Sequence, residues 1–256
     1  MRLDLYMVKN SLARSREQAK EMIETGKVEV SGRVITKPSF DITDAEIKVT
    51  EEENYVGRGA KKLGKALSFF GIDVSGKTAI DAGASTGGFT EQMLKNGASK
   101  VYAVDVGSDQ LAEILRCDER VVNLEKTDIR NLELSERAGF FTADVSFISL
   151  TQVLYHLYRL SKEDAEGVCL VKPQFEAGRE HVGKKGVVKD KKVHVKVLSD
   201  IAVFAETLGF SVKGLTHSPI AGQNGNIEYL IYIGKSGESI NPDFVQVVKE
   251  AWEELT

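Results

Sequence analysis

The chain has 256 residues and a formal net charge of −4, room for one α/β domain plus a small appendage and too acidic for a uniformly basic nucleic-acid coat, so any basic face must be local. Its two cysteines, Cys117 and Cys169, lie far apart without ligand spacing, which argues against a disulfide scaffold and a zinc site. No apolar run reaches the ~18 residues of a membrane span and the start lacks a signal-peptide core, so a cytoplasmic setting with no membrane and no metal is expected. Residues 1 to about 50 then read as a separate module. Ser15 is a candidate N-cap for a helix with Ala19, Met22 and Ile23 on its apolar face, and Gly26 ends it. Val28 to Val30, the turn Ser31-Gly32 and residues 34–35 predict a hairpin, and Ile47-Lys48-Val49 a third strand. Acidic Glu51-Glu52-Glu53 breaks the pattern and marks a linker.

From about residue 57 strands and helices alternate: helix 59–70, strand 78–81, helix 86–96, strand 100–105, a short helix 110–115 and strand 121–123. Strand 140–144, helix 150–158, strand 167–171, helix 193–208, strands 210–215 and 227–233 and a last helix from 242 follow. That rhythm predicts a doubly wound, mostly parallel sheet, hence an α/β Rossmann-like domain over 59–256, a linker over 53–58 and a small α+β domain over 1–52.

Gly71-Ile72-Asp73-Val74-Ser75-Gly76-Lys77-Thr78 matches a phosphate-loop pattern, but a helix precedes it and a strand follows, the reverse of what that loop needs. The stretch Asp81-Ala82-Gly83-Ala84-Ser85-Thr86-Gly87-Gly88-Phe89-Thr90 has the right order, strand, glycine turn, helix. Glycines admit a ligand close to the backbone and the helix start offers free N–H groups. An acid closing the first strand before this looser turn resembles the S-adenosylmethionine loop of Rossmann-like methyltransferases, which makes Asp81, Gly83, Ser85, Thr86, Gly87, Gly88, Phe89 and Thr90 the cofactor candidates. Asp105, ending the second strand, is placed to accept from ribose hydroxyls. Asp128 is a candidate for the adenine edge, or simply a solvated acid.

The fourth strand ends in Ala143-Asp144-Val145-Ser146-Phe147. It lacks the Asp/Asn-Pro-Pro-Tyr run that grips an exocyclic nitrogen and the Pro-Cys nucleophile that attacks a pyrimidine carbon, which leaves oxygen chemistry. Lys172, in Val171-Lys172-Pro173-Gln174-Phe175, is costly there if buried, and is therefore either solvated or functional. Lys62, on the helix before the first strand, and Glu228, read as an inward acid within a strand, complete the set.

Lys62, Asp144, Lys172 and Glu228 resemble the Lys-Asp-Lys-Glu tetrad of FtsJ-like ribose 2′-O-methyltransferases. Gly59-Ala60-Lys61-Lys62-Leu63, Asp144 to Leu150, Val171 to Glu176 and Gly225 to Tyr229 are similar to the TlyA family across essentially the whole chain. The first fifty residues resemble the αL RNA-binding motif of a small-subunit ribosomal protein, through Arg2-Leu3-Asp4, Ser15-Arg16, Gly26-Lys27-Val28 and Val30-Ser31-Gly32. Gly57, where serine is common, and Ser31, where asparagine is common, are mild departures. The resemblance implies methylation of cytidine 2′-hydroxyls in ribosomal RNA with S-adenosylmethionine, and some members carry a hemolysin label. The chain starts almost at Arg2-Leu3-Asp4, which favours the large ribosomal subunit as substrate.

A ribose hydroxyl must lose its proton as it attacks. A lysine is a base for that only if its pKa is depressed, as a second ammonium does, whereas a carboxylate acts in the opposite sense. Lys172 is thus expected as base or hydroxyl-orienting group beside Lys62, with Asp144 fixing it and Glu228 in support. Residues 1–40 carry a net charge of +3, and Arg2, Arg14, Arg16 and Lys20 are candidates for phosphate contacts, with plain helix charges the alternative. Lys184 and Lys185, in the basic, glycine-containing stretch 176–192, suggest a mobile flap over single-stranded or flipped RNA, or an ordinary solvated loop. A non-catalytic RNA or ribosome binder stays open, although the full set of four speaks against it. A membrane-active hemolysin is disfavoured by the missing apolar span.

Overall fold

The computed structural model describes residues 1–13, 15–42, 46–49 and 55–255. Arg14 and positions 53 and 54 of the expected linker lie outside the described residues. The chain divides into two compact units, Met1–Asn54 and Tyr55–Thr256.

The first unit runs α1 (Leu3–Lys9), α2 (Arg16–Glu24), β1 (Val28–Val30), β2 (Arg33–Val34) and β3 (Ile47–Val49). The strands form an antiparallel sheet in the order β2-β1-β3. Ser15 caps α2, its hydroxyl accepting from Gln18 N at 3.2 Å. The sequence pattern does not announce α1, because exposed Leu5 and off-spacing Val8 blur the i, i+3, i+4 series of Leu3, Tyr6 and Met7. Leu3 and Met7, one turn apart, are fully buried and join Ala19, Ile23, Val28 and Ile42 in one core, each of these side chains larger than alanine contributing about 1.5–3 kcal/mol.

The second unit opens with α3 (Gly59–Phe70), β4 (Thr78–Ala82), α4 (Gly88–Lys95), β5 (Lys100–Val104), α5 (Glu113–Arg116) and β6 (Val121–Leu124). It continues through β7 (Ala138–Ala143), α6 (Thr151–Leu160), β8 (Ser161–Val171), α7 (Pro173–Glu176), α8 (Lys191–Thr207), β9 (Ser211–His217), β10 (Tyr229–Gly234) and α9 (Phe244–Leu255). The sheet order is β6-β5-β4-β7-β8-β10-β9, parallel from β6 to β8, with β10 antiparallel to both its neighbours. Strands buried on both faces read as short continuous apolar runs. Phe141, Leu154, Leu198 and Val248 pack on one face with α6, α8 and α9; Phe140, Leu63 and Met93 pack on the other with α3 and α4.

Two elements differ from expectation in ways that matter below. β8 begins six residues earlier than the apolar run predicts, and β10 starts at Tyr229, so Glu228 precedes the strand instead of sitting inside it. The stretch 71–78 does connect α3 to β4. Strand order reverses between β4 and β7, and a crevice at the carboxyl ends of such a pair is where open α/β sheets bind ligands.

Candidate active site

At that reversal the backbones after β4 and β7 nearly touch. Gly83 has φ +83°, and a Cβ there would lie 2.5 Å from the Asp144 carbonyl oxygen, so a side chain is refused on two grounds. Gly87, at φ +94°, caps α4, and a Cβ on it would strike the side chains of Leu111 and Leu115. The turn 83–87 therefore delivers the N-terminus of α4 to the crevice.

A cleft of about 640 Å³ opens there. Gly83, Ser85, Thr86, Gly88 and Phe89 line one part of it, and Lys62, Asp144, Lys172 and Glu228 line another. The four come from α3 and from the ends of β7, β8 and the turn into β10. Lys62 Nζ lies 2.7 Å from Glu228 Oε2 and 3.8 Å from Asp144 Oδ2. Lys172 Nζ lies 2.5 Å from Asp144 Oδ1 and donates to Ser146 Oγ at 2.9 Å. Asp144 thus bridges two ammonium groups, while Glu228 also accepts from Gln174 Nε2 at 3.4 Å. Lys62, Lys172 and Glu228 are 8%, 7% and 3% exposed. Buried charges need partners, and these four balance as two cations and two anions.

The other expected cofactor residues lie off this wall. Asp81 is fully buried and accepts from Thr90 Oγ1 at 2.7 Å and Thr142 Oγ1 at 2.9 Å. It braces α4 against β7 from inside, and burial pushes its carboxyl up to about 6 despite both hydroxyls. Asp105 accepts from Ser85 N at 2.8 Å and Gly107 N at 2.7 Å, tying the glycine turn to the end of β5. Each of its oxygens keeps a lone pair. Asp128 caps the turn Ile129–Asn131 and pairs with Arg130 at 2.6 Å, an interaction that holds its carboxyl below the ordinary range.

In the first unit, Asp4 is fully buried between Arg2 and Arg16. Arg2 Nη2 lies 2.9 Å and Arg16 Nε 3.0 Å from its Oδ2. Burial alone would raise the Asp4 carboxyl, but the hydrogen bonds from the two guanidiniums outweigh that and hold it low. Both arginine side chains keep about 40% exposure, so they are fixed yet reachable. Lys20 is half-buried on α2, and Lys184 and Lys185 are exposed. The loop that carries them is tied down, with Asn226 Nδ2 donating to Gly186 O at 2.9 Å and Gly183 N to Val187 O at 3.0 Å. Val182 and Gly186 of that loop line the cleft.

Sequence reasoning assigned no role to several residues that the structure brings here. Phe147, 86% exposed at φ +67°, lines the cleft with its ring 5.3 Å from that of Phe175. Ser146, Gln174 and Asn226 also line it. Their one common signal is adjacency to Asp144, Lys172 or Glu228. Among the described residues no helix is long and apolar enough to cross a membrane.

Glycine turn, buried charge set and sheet reversal together define an α/β enzyme of the nucleotide-cofactor class. The chain matches the FtsJ-like methyltransferase model over residues 55–235 and the S4 domain model over residues 1–47. It is 45% identical over 238 residues to the 16S/23S rRNA (cytidine-2′-O)-methyltransferase TlyA of Mycobacterium tuberculosis, spanning 91% of this chain and 89% of that one. Hemolysin A of Brachyspira hyodysenteriae is 40% identical over 237 residues, with 91% and 99% covered. A solved structure from Streptococcus thermophilus under a hemolysin name is 43% identical, with a TM-score of 0.78 over 99% of this chain and 96% of that one. The chain belongs to the FtsJ-like methyltransferase family and carries an S4 domain at its N-terminal end.

Proposed function

We propose that this protein methylates the ribose 2′-hydroxyl of cytidine in ribosomal RNA, with S-adenosylmethionine as donor. The observation that carries the proposal is the convergence of Lys62, Asp144, Lys172 and Glu228 on the same cleft as the glycine turn. The activity named for the Mycobacterium tuberculosis relative supports it at 45% identity.

The residues present fit the donor. Gly83, Ser85, Thr86 and Gly88 form a side-chain-poor wall at a helix start, Asp105 retains acceptor capacity for ribose hydroxyls, and Asp144 faces the cleft with a negative charge. When bound, the donor supplies a methyl group on a cationic sulfonium. Lys172 orients the attacking 2′-hydroxyl and, once its ammonium has released a proton to solvent, takes up the hydroxyl proton at Nζ as the methyl transfers. Asp144 and Ser146 hold that amine in place. Lys62, anchored on Glu228, sets the second positive charge across from it. Asp81 and Thr90 act one layer deeper, by fixing α4, and Asp128 stays a candidate for the adenine edge.

In the same proposal residues 1–52 hold RNA through Arg2, Arg14, Arg16 and Lys20, residues 53–58 link, and residues 59–256 perform the chemistry. Lys184 and Lys185 grip the target strand beside the cleft. The test is transfer of labelled methyl from S-adenosylmethionine to purified ribosomal subunits by wild type and Lys172→Ala. Alkali-resistant label at a cytidine, lost in the variant, is the expected result. No label on either subunit from a folded, donor-binding protein overturns the assignment and favours a non-catalytic RNA binder.

A further inference from the structure

Glu176 ends α7, the short turn that begins just after Lys172, and its carboxylate reaches across to the connection between β7 and α6. Ser149 Oγ donates to Glu176 Oε2 at 2.6 Å, and Leu150 N donates to Oε1 at 2.7 Å. Ser149 Oγ also accepts from Thr151 N at 3.1 Å and lies 2.6 Å from Thr151 Oγ1. That connection is the segment that carries Asp144 and Ser146, the two partners of Lys172. The two strand-end segments are therefore joined at two levels, by Lys172 at the cleft and by Glu176 behind it.

The chemistry of the residue fits a clamp. Glu176 bonds only to neutral donors in the contacts described, and burial holds its carboxyl above the ordinary range. A half-buried carboxylate is a costly way to close a loop. It is suited to this one because two donors arrive at separate oxygens, and a carboxylate accepts at both. A lysine amine sits on a flexible four-carbon stem, so its contacts alone do not fix where it points. Fixing the backbone on both sides of the Lys172–Asp144 pair does.

We propose that Glu176 is a positioning residue for methyl transfer: by clamping the segment 144–150 to the turn 172–176 it sets the Lys172 amine against Asp144 and Ser146. This rests on the role given to Lys172 above.

The test uses the full chain as wild type, Glu176→Ala, Glu176→Gln and Ser149→Ala. Three quantities are read: kcat for labelled methyl transfer to ribosomal subunits, equilibrium affinity for S-adenosylmethionine, and amide hydrogen exchange over 144–151. Glu176→Ala is expected to lower kcat by about tenfold to a hundredfold, with donor affinity unchanged and faster exchange at Leu150 and Thr151. Glu176→Gln keeps an acceptor for Leu150 N and can donate to Ser149 Oγ, so it restores part of the rate. Ser149→Ala loses one of the two bonds and falls between. Wild-type kcat in Glu176→Ala overturns the proposal, as does a rate loss with unchanged exchange over 144–151. Should Glu176→Ala not fold, the ranking of Glu176→Gln and Ser149→Ala against wild type decides in the same way. If the wild type itself transfers no label, the proposed function fails, and the exchange data still decide whether Glu176 clamps the segment.

Discussion

Asp144 touches both lysines of the cleft, at 2.5 Å to Lys172 and 3.8 Å to Lys62. Asp144→Asn removes the charge that keeps two ammonium groups side by side. It is expected to cut methyl transfer by about 10²–10⁴-fold, with the fold retained, as read by steady-state transfer and circular dichroism. Asp81 answers to pH instead. Its carboxyl is raised from 3.8 to about 6 by burial, so the folded state binds its proton more tightly than the unfolded chain does. The stability from that shift is complete below about pH 4 and is lost as pH rises through about 6. Asparagine carries no such penalty, and the Thr90 and Thr142 hydroxyls can turn to accept from its amide. Asp81→Asn should therefore gain on wild type by up to about 3 kcal/mol as pH climbs through that window, then level off. Paired thermal melts from acid to neutral pH check this, and a difference independent of pH refutes it.

At the scale of elements, the sequence was most legible where one signal acted alone. α3 ends as the helical spacing predicts, and Ser15 caps α2 as its position before the apolar face suggests. Ser15→Ala should cost about 1 kcal/mol of stability in the first unit, measured by denaturant titration. The first half of β8 was invisible because Lys162, Glu163 and Asp164 are exposed there and hide the strand from any apolar pattern. Glu228 was misplaced into a strand by its apolar neighbours; the turn before β10 is what lets its side chain reach Lys62. The four charged residues of the cleft were legible as a set only because their types recur together in a family. The Glu176 clamp was not, since nothing in spacing relates residue 176 to residues 149 and 150. The glycine turn was legible by composition, and the structure adds its reason in Gly83. Gly83→Ala forces a Cβ towards the Asp144 carbonyl at positive φ, and is expected to cost about 1–3 kcal/mol and to weaken donor binding. A lowered Tm together with reduced affinity by calorimetry would bear that out.

For the whole molecule the informative fact is that each unit has its own core. Leu3, Met7, Ile23 and Ile42 pack within the first, and every core residue on the two faces of the large sheet belongs to the second. A fragment of residues 55–256 should therefore fold alone and melt in one cooperative transition. What it loses is fixed positive charge, since Arg2 and Arg16 are held on Asp4 and Lys20 lies on the same helix as Arg16. Each lost phosphate contact removes about 0.7–0.9 from the slope of log affinity against log salt. If Arg2, Arg16 and Lys20 touch RNA, the fragment should bind ribosomal RNA more weakly and with a slope shallower by roughly two to three. Asp4→Asn in the full chain should weaken binding through the same two arginines, because it frees them from their anchor without removing their charge. Salt titrations of RNA binding by the full chain, the Asp4→Asn variant and the fragment separate these effects. An unchanged slope in the fragment would mean that the first unit meets its partner by something other than phosphate, and that the basic loop around Lys184 and Lys185 carries the electrostatic share alone.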